Sequence, residues 1–163
     1  MTNAPPALLE FLYRYDPAIQ SLALGLRNVI HEEMSPCHEY IFQMRSKVVL
    51  LYGPTEKVIR DNACAIGVYR SHVLLSFRRG ADLKDARRLL EGHGKTFRHL
   101  TLKTIAELDR PEIRAFLRQA RMLAGIRRPR RPAADAAIVT RVKKTTSVTR
   151  QVSPRTTWKI PIG

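Results

Sequence analysis

Two apolar runs in the middle of the chain constrain the fold more than any other feature. They cover residues 64–69 and 72–77 and are separated by Arg70-Ser71. A two-residue turn at this point predicts an antiparallel hairpin in which the first residue of one run faces the last residue of the other. One face is then apolar and needs helices to cover it, whereas the face with Tyr69 and His72 is smaller and more polar and is suited to a ligand or a partner. The apolar face comprises Cys64, Ile66, Val68, Val73, Leu75 and Phe77.

Helices that cover the apolar face are predicted on both sides of this hairpin. Asp16-Pro17 favours a helix start, because Asp caps a helix and Pro at the first position loses no needed hydrogen bond. Apolar residues at helical spacing then predict a helix that ends at about Met34. A second helix is predicted after Asp109-Arg110-Pro111-Glu112. Shorter helices are predicted around residues 8–12 and 83–90, and further strands at residues 48–52 and 97–102.

The chain is strongly basic, with 29 Lys and Arg residues, 14 Asp and Glu residues and a formal net charge of +15. From residue 127 onward there are ten basic residues and one acidic residue. This segment has few large apolar residues, so it cannot offset the entropy that ordering removes. We therefore predict a domain at residues 1–125 and a disordered basic tail at residues 126–163. The tail is either a weak, non-specific nucleic-acid contact or a solvated extension without function.

The sequence carries no signal for a membrane or for secretion. No stretch approaches the roughly eighteen consecutive apolar residues of a membrane span, and residues 1–6 lack the basic region and apolar run of a secretory signal. The two cysteines, Cys37 and Cys64, are too few for a disulfide framework. We expect a cytoplasmic protein that does not contact a membrane.

A glycine-flanked stretch from Gly92 to Leu100 predicts an anion site. Its glycines, Gly94 among them, allow close approach of the backbone to a ligand. Basic side chains in this stretch supply donors for phosphate or carboxylate. The alternative is an ordinary turn between a helix and a strand, with solvated charges. The predicted basic rim comprises Lys95, Arg98 and His99, with further charge from Arg79.

No arrangement of residues in the sequence predicts catalysis, a cofactor or a metal. Ser76 and His72 share a strand face but have no orienting acid, which a catalytic triad needs. Cys64 lies on the predicted core face, so we interpret it as a small buried apolar residue. Four possible metal ligands lie close together in sequence but match no tight zinc spacing, namely His31, Cys37, His38 and Glu39.

Two segments of the chain together resemble the core signature of the YdhG-like family, bacterial domains of unknown function. They are His72-Val73-Leu74-Leu75-Ser76-Phe77-Arg78-Arg79-Gly80-Ala81-Asp82-Leu83 and Leu89-Leu90-Glu91-Gly92-His93-Gly94-Lys95-Thr96-Phe97-Arg98-His99-Leu100. The resemblance covers residues 8–123 and not the tail. It implies a compact α+β domain, for which we expect an antiparallel sheet of about four to five strands packed against N- and C-terminal helices. It also implies one activity, because a branch of the family is described as a frataxin-like intracellular iron chaperone.

Two departures from the family weaken the case for iron. The segment Ile41-Phe42-Gln43-Met44-Arg45 stands where many relatives carry Trp/Tyr-Gly-x-Pro. The domain is also basic, whereas iron as a hard cation favours clustered carboxylates. We therefore predict a non-enzymatic binding module for an anionic small molecule or an acidic protein, with an iron chaperone as the alternative. The predicted ligand-binding residues are Lys95, Arg98, His99, Gly94, Tyr69, His72 and Arg79.

Overall fold

The structure, a computed structural model, describes residues 3–128 and 138–143. These residues form four α-helices and six β-strands. The helices are α1 (Pro6–Leu12), α2 (Pro17–Met34), α3 (Val58–Asp61) and α4 (Pro111–Leu123). The strands are β1 (His38–Gln43), β2 (Val48–Gly53), β3 (Cys64–Val68), β4 (Val73–Phe77), β5 (Arg98–Leu102) and β6 (Val139–Lys143).

The six strands form one mixed sheet in the order β5-β4-β3-β2-β1-β6. Neighbours from β1 to β5 are antiparallel, whereas β6 runs parallel to β1. The predicted α+β class is therefore confirmed, but the sheet is larger than predicted and is not purely antiparallel. Strand β1 was missed because Glu39, a charged residue, faces the core and interrupts the apolar alternation that marks a strand.

Strand β6 lies inside the segment that the sequence predicts to be disordered, so that prediction is wrong for residues 138–143. The Val139 amide donates to the Cys37 carbonyl over 3.1 Å, and the Thr140 hydroxyl donates to Glu39 Oε1 over 2.8 Å. Val142 packs against the main core. A short strand of this kind gains order from the edge of β1 rather than from its own composition. The remainder of the predicted tail, residues 129–137 and 144–163, lies outside the described residues.

The predicted hairpin is confirmed in its register. Cys64 lies opposite Phe77, and Val68 lies opposite Val73, as the two-residue turn requires. The Tyr69 amide closes the turn by donating to the His72 carbonyl over 3.0 Å. All six residues of the predicted apolar face are fully buried.

Helices α2 and α4 confirm the two main helix predictions, whereas the predicted helix at residues 83–90 is wrong. The Asp85 carboxylate accepts hydrogen bonds from the amides of Leu89 and Leu90, each over 2.9 Å. Arg88 has a φ of 52°, which no α-helix accommodates. A side chain that bonds the backbone locally competes with helix formation, so this segment forms a loop. Leu89 and Leu90 nevertheless pack against the core.

The two faces of the sheet differ in what covers them. The inner face packs against α2 and α4, with the Phe77 and Phe116 ring centroids 6.0 Å apart. The outer face is partly covered by α3, whose Val58 packs against Val49 and Leu51. None of the helices among the described residues is long and apolar enough to cross a membrane.

The sheet also has two ends that matter for function. The hairpin end holds the β1–β2 turn at residues 44–47 and the β3–β4 turn at residues 69–72. The opposite end holds the last residue of β4 and the first residue of β5, which pair as Phe77 and Arg98.

Candidate functional site

The structure divides the residues of the predicted site between the two ends of the sheet. Tyr69 and His72 lie at the hairpin end, and His99 lies midway along the outer face, opposite Ser76. Strand β4 separates the two ends by about 14 Å along its length. The predicted ligand-binding residues were expected to form one continuous site, whereas in the structure they form two separate groups, one at each end of the sheet. The group at the opposite end comprises Arg79, Gly94, Lys95 and Arg98.

At the opposite end, the motif residues hold their own loop. Arg98 Nη1 donates to the Gly94 carbonyl over 2.5 Å and to the Phe97 carbonyl over 2.6 Å. A Cβ on Gly80 would lie 2.7 Å from the Arg98 backbone nitrogen, so only glycine fits there. Arg79 pairs with Asp82 at 2.9 Å. Lys95 is therefore the exposed cation of this group that is left for a ligand.

At the hairpin end, three side chains form a stack on the outer face. The rings of Tyr69 and His72 are nearly parallel, with centroids 4.9 Å apart and 9° between their planes. Lys47 Nζ donates to the Tyr69 hydroxyl over 3.2 Å and lies 5.4 Å from the centroid of the same ring. The Tyr69 ring leans over Gly67, whose missing side chain makes the room. Lys47, which is not among the predicted ligand-binding residues, thereby completes this group.

The strand registers assign the residues of the outer face to rows that cross the sheet. None of the residues in the two central rows is acidic. The row nearer the hairpin end comprises Thr101, Leu74, Gly67, Val49, Phe42 and Lys143. The next row comprises His99, Ser76, Ala65, Leu51, Tyr40 and Arg141.

The second row is closed on one side by α3 and its preceding loop. Arg141 lies over the Tyr40 ring, 5.4 Å from its centroid, and donates to the Glu56 carbonyl. The hairpin half of the outer face retains half-buried aromatic and polar residues, of which Phe42 packs against the cluster of Val49, Leu51 and Val58. We name this half the candidate face, defined by Phe42, Lys47, Gly67, Tyr69, His72, Thr101 and Lys143.

Cations also surround the candidate face at the hairpin end. Arg45 in the β1–β2 turn and Arg70 in the β3–β4 turn are exposed, and Lys103 directly follows β5. Arg14 reaches the first of these turns, with Nη2 3.4 Å from the Met44 carbonyl. Neither turn contains an acidic residue, so the charges of Arg45, Lys47 and Arg70 reinforce one another. Lys103, by contrast, lies beside the Glu107 carboxylate, which accepts a hydrogen bond from its amide over 2.9 Å.

A second group of charged residues lies buried beneath the inner face and joins α2 to β1. Arg27 donates from Nε and Nη2 to the Glu39 carboxylate, each over 2.9 Å, and His31 Nε2 lies 2.8 Å from Glu39 Oε2. Burial raises the pKa of the Glu39 carboxyl, but the hydrogen bonds and charges of His31 and Arg27 outweigh burial and bring the pKa to about 2. The carboxylate is therefore charged and paired, which gives this group a structural role.

A second buried carboxylate among the described residues, Glu33, joins α2 to α4. It pairs with Arg114 at 3.0 Å and with Arg118 at 3.1 Å. Burial raises the pKa of the Glu33 carboxyl. The hydrogen bonds and charges of Arg118 and Arg114 outweigh burial, so the pKa lies below its ordinary value. Among residues 3–128 and 138–143, no three His, Cys, Asp or Glu residues are placed to hold a metal together.

The two thiols are buried and protonated. Burial, followed by the charge of Glu39, raises the pKa of the Cys37 thiol to about 12. Burial also raises the pKa of Cys64 well above its ordinary value. Because the thiolate is the nucleophile, neither cysteine is poised to react.

A cavity of about 260 Å³ at the opposite end is one of the competing sites. Its walls are mainly apolar and include Phe77, Leu83 and Leu123, with Arg79 among the polar residues. Its volume is below the roughly 300–1,000 Å³ of typical ligand pockets. Anion chemistry is better served by the candidate face, where cations and rings lie side by side.

Comparison of the chain with known protein families, with curated proteins and with solved structures found no match. The resemblance to the YdhG-like family therefore stays a prediction from the two motif segments. In the structure these segments lie side by side, because the first contributes β4 and the second contributes the loop before β5 and the start of β5.

Proposed function

We propose that the chain is a non-enzymatic binding module whose candidate face takes an anionic partner. One observation carries the proposal: Lys47 is only 8 % exposed, and among the described residues its ammonium group meets the hydroxyl and ring of Tyr69 but no carboxylate. A buried charge without an opposite charge is unfavourable. An anion that binds beside Tyr69 supplies the missing charge.

The rest of the candidate face supports the same partner. Lys143 lies beside Phe42 on the neighbouring strand, and Arg45 and Arg70 flank the face from the two turns. Charge of one sign on a surface attracts the opposite sign and excludes its own. An acidic surface or a phosphate-rich ligand therefore fits this face, and a cation does not.

A binding role rather than a catalytic one follows from where the acids lie. The candidate face has no carboxylate that could act as a base, and the buried Glu39 is already paired with Arg27. General acid–base chemistry needs such a group within reach of the substrate. Cytoplasmic location stays a prediction.

The test is titration of fluorescein-labelled heparin, a generic polyanion, with the full chain at low salt. Lys47→Met removes the charge and keeps the length of the side chain. We expect binding to weaken about tenfold, since hydrogen bonds to charged groups are worth about 1.5–3 kcal/mol. Lys84→Met, in an exposed loop away from this face, is the matched control and leaves binding unchanged.

Lys95→Met separates this proposal from the anion rim that the sequence predicts. If Lys95→Met weakens heparin binding tenfold and Lys47→Met does not, the anion site lies at the opposite end and the proposal is wrong.

A further inference from the structure

We infer that the anionic partner of the candidate face is a single-stranded nucleic acid, an inference that rests on the proposed function. The face combines two chemistries, cationic groups and aromatic rings, and a single strand offers the complement of both. Phosphates pair with the cations, and unpaired bases stack on the rings.

The order of side chains across the sheet carries the inference. From the position of β6 to that of β4, the outer face presents a cation and a ring in one row, and a cation and two rings in the adjacent row, where the two turns of the hairpin end begin. Neighbouring strands are about 4.8 Å apart, so these positions span roughly 19 Å across the sheet. A single strand that lies across the β-strands meets phosphate partners and stacking partners. The first row holds Lys143 and Phe42, and the adjacent row holds Lys47, Tyr69 and His72.

The stacked pair shows that this face accommodates parallel rings. Tyr69 and His72 already stack at 4.9 Å with 9° between their planes, and both rings are half-buried. A base added to this stack gains contact with the ring and with the nearby Lys47 charge.

Other anionic partners use only part of this surface. An acidic peptide or an inorganic phosphate gains from the cations but has no flat π-face to place on Phe42, Tyr69 or His72. A nucleic-acid duplex keeps its bases stacked inside the helix, where rings on a sheet do not reach them. The aromatic residues therefore favour an unpaired strand over the alternatives.

The experiment measures fluorescence anisotropy of labelled oligothymidylate and oligouridylate of about twelve nucleotides, within the range that single-strand modules cover. The full chain is used, so the charge of residues 144–163 is the same in every variant. Tyr69→Ala is expected to weaken binding about 5- to 100-fold through the loss of stacking. Tyr13→Ala is the matched control, because Tyr13 is 85 % exposed at the end of α1, and its substitution leaves binding unchanged.

Two further variants keep the result interpretable. Tyr69→Phe retains the ring and is expected to bind nearly as tightly as the parent protein. If the effect of Tyr69→Ala came from loss of the hydroxyl, which bonds Lys47, Tyr69→Phe would bind as weakly as Tyr69→Ala. His72→Ala removes the neighbouring ring without uncovering Gly67 and is expected to weaken binding several-fold, so the test survives if Tyr69→Ala does not fold.

The salt dependence tests the cations separately. The slope of log affinity against log salt changes by about 0.7 for each phosphate contact to a single strand. The double variant Arg45→Gln/Lys47→Gln is therefore expected to reduce the slope by about 1.4. The double variant Lys84→Gln/Lys95→Gln removes the same charge elsewhere and leaves the slope unchanged.

The outcomes distinguish the two proposals. If Tyr69→Ala and Tyr13→Ala bind single strands equally well, or a duplex of the same length binds as tightly, the inference is overturned. The proposed function still stands in that case if heparin binding depends on Lys47. If neither probe depends on Lys47, both proposals are wrong.

Discussion

Lys47 and Glu39 are both buried charged residues, but their surroundings differ. Glu39 accepts hydrogen bonds from Arg27 and Thr140 and contacts His31, so its charge is matched inside the fold. Lys47 meets the hydroxyl and ring of Tyr69. Removing one partner of a matched buried pair destabilises a fold, whereas a buried charge without an opposite charge is itself retained at a cost in stability.

Replacing Lys47 is therefore expected to stabilise the unliganded protein. Lys47→Met keeps the aliphatic stem against the Tyr69 ring and removes the buried charge. The free energy of unfolding should rise by about 1 kcal/mol, measured by urea denaturation at neutral pH. Lys84→Met serves as the control. A decrease of the same size in Lys47→Met would mean that the ammonium group stabilises the fold, contrary to its proposed role.

Replacing Glu39 is expected to do the opposite. Glu39→Gln leaves Arg27 buried without its carboxylate and should lower the free energy of unfolding by about 3–5 kcal/mol. Glu10→Gln, on the exposed side of α1, is the control and should change it by less than about 0.5 kcal/mol. Urea denaturation measures both, and equal stability of the two variants would contradict a structural role for the buried group.

The pH dependence of stability provides an independent test of Glu39. Its pKa is about 2 in the folded state against an ordinary value of 4.5. The carboxylate therefore stabilises the fold above about pH 4.5, and that contribution is lost as the pH falls towards 2. Urea denaturation between pH 6 and pH 3 should show a smaller loss of stability in Glu39→Gln than in the parent protein. If the free energy of unfolding fell equally in Glu39→Gln and in the parent protein, the loss of stability in acid would come from other carboxylates.

At the scale of the elements, the sequence predicts what local pattern controls. The hairpin β3–β4 has the expected register because only one pairing places six apolar residues on one face. Helices α2 and α4 follow from their apolar stripes. The errors arise where a side chain overrides the local pattern. Asp85 bonds the backbone and replaces a helix with a loop, and β6 forms only because the edge of β1 receives it.

The attachment of β6 is testable through Thr140. Thr140→Val keeps the shape of the side chain but removes the 2.8 Å hydrogen bond to Glu39. We expect the free energy of unfolding to fall by about 1–2 kcal/mol, because the buried carboxylate loses a donor. Val139→Thr, the neighbouring position that faces outward and is 49 % exposed, is the reciprocal control and should be nearly neutral. Identical urea midpoints for the two variants would show that β6 does not depend on the Glu39 group.

At the scale of the whole molecule, charge is sorted between the two faces of the sheet. The buried acids Glu33 and Glu39 are paired with arginines on the helix side of the sheet. The two central rows of the outer face contain no acidic residue. The sequence predicted Tyr69 and His72 from the hairpin register. It did not predict Lys47, because Lys47 lies in a turn and its contact with Tyr69, 22 residues further along the chain, arises only in the fold. Lys95 and Arg98 were predicted to share a site with Tyr69 and His72, because the spacing of residues in the sequence does not show at which end of the sheet a loop lies.

This distribution of charge also bears on iron, the alternative function. Hard cations need oxygen ligands, and the buried carboxylates already bind guanidinium groups. Anaerobic calorimetric titration with ferrous iron is expected to show no binding tighter than the high-micromolar range, an order-of-magnitude expectation for incidental ligands. Stoichiometric and tighter binding would favour the iron chaperone over the anion-binding module, and variants of His31 and Glu32 would then identify the ligands.

The central claim is that the candidate face at the hairpin end binds a single-stranded polyanion. It is tested most directly by titrating unlabelled oligothymidylate of about twelve nucleotides into the ¹⁵N-labelled full chain and following amide chemical shifts. We expect saturable shifts for Phe42, Lys47, Tyr69 and His72 while the Gly94 and Lys95 amides stay in place. Shifts confined to the Gly94 and Lys95 loop, or to residues after Lys143, would contradict it.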